Sequence, residues 1–282
     1  MFDNVEQMKS EKGIQSVYRA LRLLSLFDRR HPHLGVTEIS RMMNLPKGTV
    51  HGFVRTLSKM RYLQQDSITR KYHLGLKIYE LGAILADSLE INQKAAGPAR
   101  QLAYRTRLTS RIAVWDGDSA LLTLNIDSRY HYSFVQQIGP RIPAYCSAVG
   151  KTLLAFLERQ ELSTYLDQTE LVPHTPNTIT QKEKLLRELE EIRRRGYSKD
   201  REESTPGLAC VAAPIFGRDG KLEAGISLSG DPDRVYGKQM KELVDLLVKT
   251  AREISRSMGY FSESLELKAI KEQERKKSVK SQ

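Results

Sequence analysis

The sequence predicts an α+β protein with an N-terminal winged helix-turn-helix, a helical linker and a C-terminal α/β domain built on an antiparallel sheet. Residues 1–75 show helical periodicity in three stretches, followed by a short hairpin. Residues 108–260 alternate between amphipathic helices and strands joined by tight turns. These patterns place the linker at 76–107 and leave 261–282 as a basic, charged tail.

The net charge of +11 is spread unevenly over the 282 residues. Residues 1–75 contain 13 Lys+Arg and 6 Asp+Glu, residues 76–267 contain 26 of each, and residues 268–282 contain 6 and 2. A compact basic module beside a neutral body is typical of a nucleic-acid binder with a separate second function. The alternative is that the charge only aids solubility. For the tail we expect a solvated segment, with a supplementary contact to DNA as the alternative.

The composition argues against several classes of protein. The longest apolar stretch, Leu208 to Phe216, has nine residues and is too short to span a bilayer, so no membrane partner is expected. The N-terminus lacks the apolar segment of a secretory signal. The two cysteines, Cys146 and Cys210, give neither a disulfide framework nor a CxxC metal pair. These features predict a cytoplasmic protein.

Three helices are predicted in the basic module. The first follows Ser16 as its N-cap, and its apolar residues recur about once per turn: Val17, Leu21, Leu24 and Phe27. Thr37 caps a second, short helix with three apolar residues on its buried side: Ile39, Met42 and Met43. Asn44 suits the left-handed turn that follows. Leu45-Pro46 then begins a third helix with an apolar stripe: Val50, Val54 and Leu57.

The outer side of the third helix has the chemistry of a DNA-recognition helix. Two helices around a short turn, the second with cationic and hydroxyl groups near its start, form a helix-turn-helix. Its N-terminus attracts phosphate. Lys47 and Arg55 are long enough to reach phosphates or guanine edges, and Thr49 can bond either. The alternative is a three-helix protein-binding module with a solvated basic face.

A hairpin is predicted after the third helix. Tyr62-Leu63-Gln64 pairs with Tyr72-His73-Leu74, and the turn from Asp66 to Lys71 has two cations at its tip, as a wing touching the DNA backbone would. The predicted DNA-binding residues of the whole module are Thr37, Lys47, Gly48, Thr49, His51, Gly52, Arg55, Arg70 and Lys71.

The run from Gly13 to Gly82 resembles the winged helix-turn-helix of the IclR family of bacterial transcription regulators. The motifs that carry the resemblance are Ser16-Val17-Tyr18-Arg19-Ala20-Leu21, Thr37-Glu38-Ile39-Ser40, Leu45 through His51, Thr56-Leu57 and Tyr72-His73-Leu74-Gly75. The family commonly has an arginine directly after the histidine, where this chain has Gly52. The change removes a DNA-contacting cation and lowers helix propensity by roughly 1 kcal/mol relative to alanine.

The linker is expected to be largely helical, with an interruption at Gly97-Pro98. Its apolar face is formed by Ile78, Leu81, Ile84, Leu85 and Leu89. The resemblance implies that a helix here joins the two domains and that the N-terminal modules pair as a dimer. An ordinary helix within one domain is the alternative.

The body is expected to contain hairpins and helices in alternation. The predicted strands are Ile112 to Trp115, Ala120 to Leu124, Ser133 to Ile138, Leu208 to Phe216 and Leu222 to Ser229. The predicted helices are Gly150 to Glu158, Gln181 to Arg195 with Gly196 after its end, and Pro232 to Met258.

This body resembles the C-terminal domain of the IclR family, a GAF-like small-molecule sensor. The motifs are Ser147 through Ala155, Arg195-Gly196-Tyr197 through Glu202-Glu203, Gly207 through Ile215, and Ile226 through Gly230. The resemblance implies effector contacts from the side chains of Asp200, Cys210, Ser227 and Ser229 and from the backbone of Ala148 and Val149. The family often has Gly-Ala at the last pair, so the bulkier residues here are expected to narrow the pocket.

The chemistry of these positions favours an organic acid. A helix that opens at Ala148 favours an anion at its N-terminus, and Ser227 and Ser229 face the same side of a strand. Cys210 adds a weak donor, while Asp200 is expected to accept a bond from a hydroxyl or hydrated carbonyl at the other end of the ligand. The alternatives are a solvent-facing strand for the serines, a core position for the cysteine and a turn or cap for the aspartate.

Neither a catalytic nor a metal site is predicted. His131, His174 and Cys210 have no spacing that suggests nucleophilic catalysis, and the pair His31 and His33 has no ligand partner nearby. No cofactor is expected.

The leading interpretation is a cytoplasmic transcription regulator that binds a double-stranded, palindromic DNA operator as a homodimer or homotetramer. A small organic acid modulates its binding, and it represses a catabolic operon. The alternatives are a ligand-dependent activator, a ligand-independent architectural DNA binder and a Cys-dependent enzyme that uses Cys210 on a GAF-like domain.

Overall fold

The computed structural model describes residues 13–127 and 141–261. The predicted strand from Ser133 to Ile138 and the tail from residue 262 onward lie outside these residues. The chain divides into two compact units between Ala86 and Asp87. Each contains both helices and strands, and the predicted α+β class is confirmed. No helix in the described part of the chain is both long and apolar enough to cross a membrane.

The first unit contains four helices and one hairpin among its described residues. They are α1 (Gln15–Leu24), α2 (Val36–Met43), α3 (Lys47–Lys59), β1 (Leu63–Gln65), β2 (Tyr72–Leu74) and α4 (Leu76–Ser88), whose last two residues pass the boundary. Its core joins α1, α2, α3 and the hairpin, and its most buried apolar residues include Leu23, Leu34, Ile39, Val50, Val54 and Leu63.

The start of α1 differs from the prediction. Ile14 occupies the N-cap position with no side-chain cap, so the assignment of Ser16 as N-cap is wrong. Val17 and Leu21 of the predicted stripe are exposed, while Leu24 and Phe27 are partly buried against the core. The buried residue of α1 itself is Leu23. The segment has leucines on more than one side of the helix, and periodicity alone does not show which side the neighbouring helices cover.

The second helix begins earlier than predicted because another group caps it. The Glu38 carboxylate accepts a hydrogen bond of 2.6 Å from the Gly35 N–H, which leaves Thr37 exposed in the first turn rather than at the N-cap. Ile39 is buried as expected, whereas Met42 is 40% exposed. Asn44 adopts the predicted left-handed turn, with φ 52°.

The hairpin after α3 is confirmed with a register in which Leu63 opposes Leu74. Its turn is held by the Asp66 side chain, which accepts bonds from the N–H groups of Ile68 and Thr69. Leu34 pairs with Tyr72 on the other side of the hairpin, so the wing is fixed to the segment before α2.

The stretch predicted as a linker is two helices, and the break is not where it was expected. α4 ends at Ser88 and α5 (Glu90–Thr106) begins after Leu89, while Pro98 lies inside α5. The Gln93 side-chain amide donates to the carbonyl of Asp87 at 2.7 Å, which caps the end of α4. α5 tolerates the proline because its apolar side is packed into the core of the second unit, through Ile91, Ala95, Ala99 and Leu102.

The second unit is built on a six-stranded antiparallel sheet. Its strands are β3 (Thr109–Trp115), β4 (Ala120–Ile126), β5 (Arg141–Ile142), β6 (Ser198–Arg201), β7 (Ala209–Phe216) and β8 (Leu222–Gly230), in the order β5-β4-β3-β8-β7-β6. The predicted hairpins β3–β4 and β7–β8 are both present. Two-residue periodicity then places alternate side chains on opposite faces of the sheet.

Helices cover both faces of this sheet. α5 and α10 (Met240–Ser257) pack on one face, and α6 (Ala148–Phe156) packs on the other. α7 (Arg159–Gln168), which the sequence patterns did not reveal, and α8 (Lys182–Arg195) enclose the outer side of α6. Eight consecutive residues of α6 are buried, so this helix is enclosed on every side.

The long helix predicted from Pro232 to Met258 is interrupted. A short helix α9 (Pro232–Val235) precedes α10, and the chain turns between them at Tyr236 and Gly237. A Cβ atom at Gly237 would lie 2.3 Å from the carbonyl oxygen of Asp233, so this close turn requires glycine. The Tyr236 hydroxyl donates to the carbonyls of Asp200 and Cys210, each at 3.0 Å, which holds the turn against the sheet.

Candidate nucleic-acid interface and ligand cavity

The outer face of α3 presents most of the predicted DNA-binding residues to solvent. Lys47, Gly48, His51, Gly52 and Arg55 are exposed, and Thr49 is half-buried. Gly48, His51, Gly52 and Arg55 also line a concave surface of about 530 Å³ that continues to Gln65 and Tyr72 of the hairpin. A recognition helix beside a wing is the arrangement expected for entry into a major groove.

The two cations predicted at the wing tip have different surroundings. Arg70 is exposed and has a positive φ of 59° in the turn. Lys71 lies at the foot of the wing, where its Nζ is 3.1 Å from the Glu38 carboxylate. The Gly35 N–H and Lys71 together hold the pKa of Glu38 below its ordinary value. Lys71 thus ties the wing to α2, while its contact with DNA stays a prediction.

The six residues predicted to bind an effector line a single cavity of about 130 Å³ in the second unit. They are Ala148, Val149, Asp200, Cys210, Ser227 and Ser229. The cavity lies between the face of the sheet formed by β6, β7, β8 and β3 and the N-terminus of α6. It is far below the roughly 300 Å³ at which pockets for drug-sized ligands begin, so it suits a molecule of a few heavy atoms.

The α6 end of the cavity favours negative charge. The Ser147 hydroxyl caps the helix by accepting from the Gly150 N–H at 3.2 Å, and the cavity is lined by the next two residues, Ala148 and Val149. A Cβ atom at Gly225 would lie only 2.7 Å from a methyl group of Val149, so a glycine on β8 makes room for this side chain.

The sheet side of the cavity is polar and almost inaccessible to solvent. Ser227 and Ser229 are buried, which makes the alternative of a solvent-facing strand wrong. Cys210 on β7 lies opposite Ser229 on β8. Asp200 on β6 lies opposite Cys210 from the other side of β7. Burial and the nearby Asp200 raise the pKa of the Cys210 thiol to about 12, which disfavours a reactive thiolate.

Asp200 combines a local structural role with its place in the cavity. One carboxylate oxygen accepts from the Glu203 N–H at 2.7 Å, and the other accepts from the Ser204 hydroxyl at 3.1 Å. The turn alternative is therefore confirmed, because these bonds shape the chain after β6, while a contact of Asp200 with an effector stays a prediction. Burial is the main cause that raises the pKa of this carboxyl.

Replacing Asp200 with asparagine should raise the melting temperature at about pH 8, and the gain should shrink as the pH falls. Because its pKa is raised, the folded state binds the proton more tightly than the unfolded state, and ionisation costs stability as the pH rises through the folded-state pKa. The amide cannot ionise. Thermal unfolding at several pH values measures the effect, with Asp245→Asn on the exposed side of α10 as control. A gain that is independent of pH would contradict the explanation.

Arg111 is the functional candidate that sequence reasoning missed. It lies on β3 opposite Ser227, is 5% exposed and lines the cavity. Its Nη1 donates to the Ser229 hydroxyl at 2.6 Å and its Nε donates to the Asn125 side-chain oxygen at 3.1 Å. An arginine directly before the apolar half of a predicted strand was the available signal, but its partner Ser229 lies 118 positions away in the chain.

A buried ion pair joins α6 to the segment that follows β6. The Lys151 ammonium donates to both oxygens of Glu203 at 2.6 and 2.7 Å, and these side chains are 1% and 10% exposed. Lys151 immediately follows Gly150 in α6, and Glu203 is bonded to Asp200 through its N–H. The pair therefore connects two borders of the cavity.

The histidines of the rejected catalytic set are only partly described. His131 lies outside the described residues, whereas His174 lines the cavity together with Cys210, and its Nε2 is 3.0 Å from the Tyr145 hydroxyl. Among the residues that the structure describes, no group of three or more His, Cys, Asp and Glu could hold a metal ion. The second unit also has a groove of about 450 Å³ beside α8, β7 and α10, larger than the cavity described above. None of the predicted site residues lines this groove.

A winged helix-turn-helix with an exposed cationic recognition helix, on the same chain as a domain that encloses a small polar cavity, defines the class of one-component regulators. The family model of the bacterial transcriptional regulator IclR C-terminal domain matches residues 83–256, and that of the IclR helix-turn-helix domain matches residues 16–67. The chain therefore belongs to the IclR family and is a DNA-binding transcription regulator of the helix-turn-helix type.

Three known proteins illustrate the similarity. The HTH-type transcriptional regulator KdgR of Escherichia coli is 35% identical over 257 residues, which cover 91% of this chain and 97% of KdgR. The HTH-type transcriptional repressor AllR of E. coli is 30% identical over 250 residues, covering 89% and 92%. An IclR homologue from Microbacterium hydrocarbonoxydans, crystallised with 4-hydroxybenzoate, shares the fold with a TM-score of 0.75 at 23% identity, covering 86% and 98%.

Proposed function

We propose that this protein is a cytoplasmic repressor whose operator binding is weakened by a small organic acid bound in the cavity of the second unit. The observation that carries the proposal is the cavity itself. It combines a helix N-terminus, two buried serines and a buried arginine in about 130 Å³. Such a set of donors suits a carboxylate.

The similarities support this function without extending to a particular ligand. One protein of the same fold was crystallised with 4-hydroxybenzoate, a small organic acid, and AllR is named a transcriptional repressor. The relatives are named as regulators, and the raised pKa of Cys210 disfavours the Cys-dependent enzyme. An acid-binding cavity also has no use in a ligand-independent architectural protein.

The proposed DNA-binding residues remain the nine of the recognition helix, α2 and the wing. We propose a homodimer or homotetramer on a palindromic operator, since two-fold symmetry of the protein matches two half-sites. The exposed apolar side chains of α1 and α4 support pairing, because single units rarely leave so many apolar groups in water: Val17, Leu21, Leu76, Tyr79, Ile84 and Leu85.

Regulation requires that the acid binds one arrangement of the protein better than another. A ligand with equal affinity for the DNA-bound and DNA-free arrangements would leave operator binding unchanged, however tightly it bound. We propose that the acid favours the DNA-free arrangement.

The test measures DNA affinity of the full chain with and without organic acids. Duplexes are selected from a random library by the protein, and fluorescence anisotropy follows their binding at fixed salt. Acetate, lactate, pyruvate and 4-hydroxybenzoate are added at equal ionic strength. We expect at least one acid to weaken binding roughly tenfold, a typical coupling between sites. An acid that strengthens DNA binding would show an activator-like response. If acids stabilise the protein against unfolding but none of them changes its affinity for DNA, the architectural alternative is favoured.

A further inference from the structure

The charge of Arg111 has no counter-ion within the described part of the protein. Among residues 13–127 and 141–261, its guanidinium forms hydrogen bonds only with the neutral groups of Ser229 and Asn125, and none of their carboxylates lies at ion-pair distance. The negative charge of Asp127 acts on it only at longer range. Burying a charge without a paired opposite charge costs stability, so buried charges in proteins are usually paired.

Lys151, a second buried cation among the described residues of this unit, shows the contrast. Lys151 is as deeply buried as Arg111, but both oxygens of Glu203 accept its hydrogen bonds. Lys151 is thus satisfied inside the protein. Arg111 instead borders a cavity, and its Nη2 has no hydrogen-bond partner among residues 13–127 and 141–261.

The two charged borders of the cavity lie on different strands. Arg111 is on β3 and Asp200 is on β6, with β8 and β7 between them. The Asp200 carboxylate is engaged by Glu203 and Ser204 rather than by the arginine. A ligand with one carboxylate toward β3 and a neutral polar group toward β6 therefore matches the distribution of charge.

We propose that Arg111 is a specificity-determining residue that binds the ligand's carboxylate together with Ser229, and that it makes the cavity selective for short monocarboxylates with a hydroxyl or carbonyl group at the Asp200 end. The inference rests on the proposed function and adds to it a ligand-binding residue and a preference for ligands with one negative charge. The planar guanidinium can offer two parallel N–H groups to a carboxylate, which an amide or ester cannot match. A second carboxylate would face Asp200 and be repelled.

The test compares acids with their uncharged amides on the full chain. Acetate, lactate and pyruvate are paired with acetamide, lactamide and pyruvamide at constant ionic strength, and malate serves as the dicarboxylate. Binding is measured by calorimetry and by the shift in melting temperature. Three variants are compared with the unchanged protein: Arg111→Gln, Arg111→Lys and the control Arg187→Gln, which removes an exposed charge from α8.

We expect a monocarboxylate to bind the unchanged protein and the Arg187→Gln control equally, with its amide and malate binding far more weakly. Arg111→Gln should weaken carboxylate binding roughly 30-fold or more and abolish the preference for acid over amide. Arg111→Lys keeps the charge, so it should retain part of that preference, and it serves in case Arg111→Gln fails to fold. Without ligand, Arg111→Gln should unfold at the same or a higher temperature, because an uncompensated buried charge is removed.

Two results would overturn the assignment, and they are distinguishable from failure of the proposed function. If the acid binds Arg111→Gln as well as the unchanged protein and still weakens operator binding, Arg111 is only a structural residue and the regulator model stands. If no monocarboxylate binds the unchanged protein while DNA binding is intact, both the acid effector and the role of Arg111 are wrong.

Discussion

Replacing Lys151 with methionine is expected to lower the free energy of unfolding of the second unit by about 3–5 kcal/mol. In the unchanged protein the Lys151 ammonium donates to the two Glu203 oxygens at 2.6 and 2.7 Å. Methionine fills much of the same space but leaves this carboxylate buried without its partner. Burial already raises the pKa of Glu203, and Lys151 opposes that increase. The loss of stability should therefore be smaller in acid, where the isolated carboxyl takes up a proton.

Chemical denaturation of three variants distinguishes the contribution of the ion pair to stability from that of side-chain packing. Lys151→Met should be the least stable, and adding Glu203→Gln to it should recover part of the loss, because the buried charge is then gone. Lys184→Met, on the exposed side of α8, is the control and should change stability little. Equal stability of Lys151→Met and the control would show that the pair is dispensable.

Replacing Lys47 and Arg55 together with alanine should reduce the affinity for a selected DNA duplex by roughly 30-fold or more at fixed salt, since each base or phosphate contact contributes about 1–3 kcal/mol. Both side chains are exposed on α3, Lys47 at its first residue and Arg55 two turns further along. Each lost phosphate contact should also make the salt dependence less steep, by about 0.9 in the slope of log affinity against log salt concentration.

Lys59→Ala at the last residue of α3 provides a matched control, because it removes a cation from the same helix outside the predicted contacts. It should weaken binding only slightly. Full affinity when both Lys47 and Arg55 are replaced by alanine, or an equal loss in the control, would show that α3 does not approach DNA through these two side chains.

The sequence predicted the elements of the first unit well, because local signals determine most of them. The turn at Asn44, the stripe of Val50 and Val54, and the hairpin after α3 all depend on neighbouring residues. The buried side of α1 could not be predicted in this way. It depends on which side of the helix α2 and α3 cover, and leucines on several sides satisfy the same helical pattern.

The cavity shows the same division between local and distant information. Ser227 and Ser229 were predictable as a pair because residues two apart on a strand share a face. Arg111 was not, since its importance depends on a strand register that joins residues 118 positions apart in the chain. The break between α9 and α10 escaped prediction because the apolar periodicity continues through Gly237, where only the close approach of the Asp233 carbonyl demands glycine.

Coupling between acid and operator is the central claim, and titration in both directions tests it most directly. The affinity of the full chain for its selected duplex is measured with and without the acid that binds it best, and the affinity for that acid is measured with and without the duplex. Thermodynamic linkage requires the same factor in both directions. We expect each ligand to weaken the other by the same factor, roughly tenfold. An acid that occupies the cavity while both affinities stay unchanged would contradict the account.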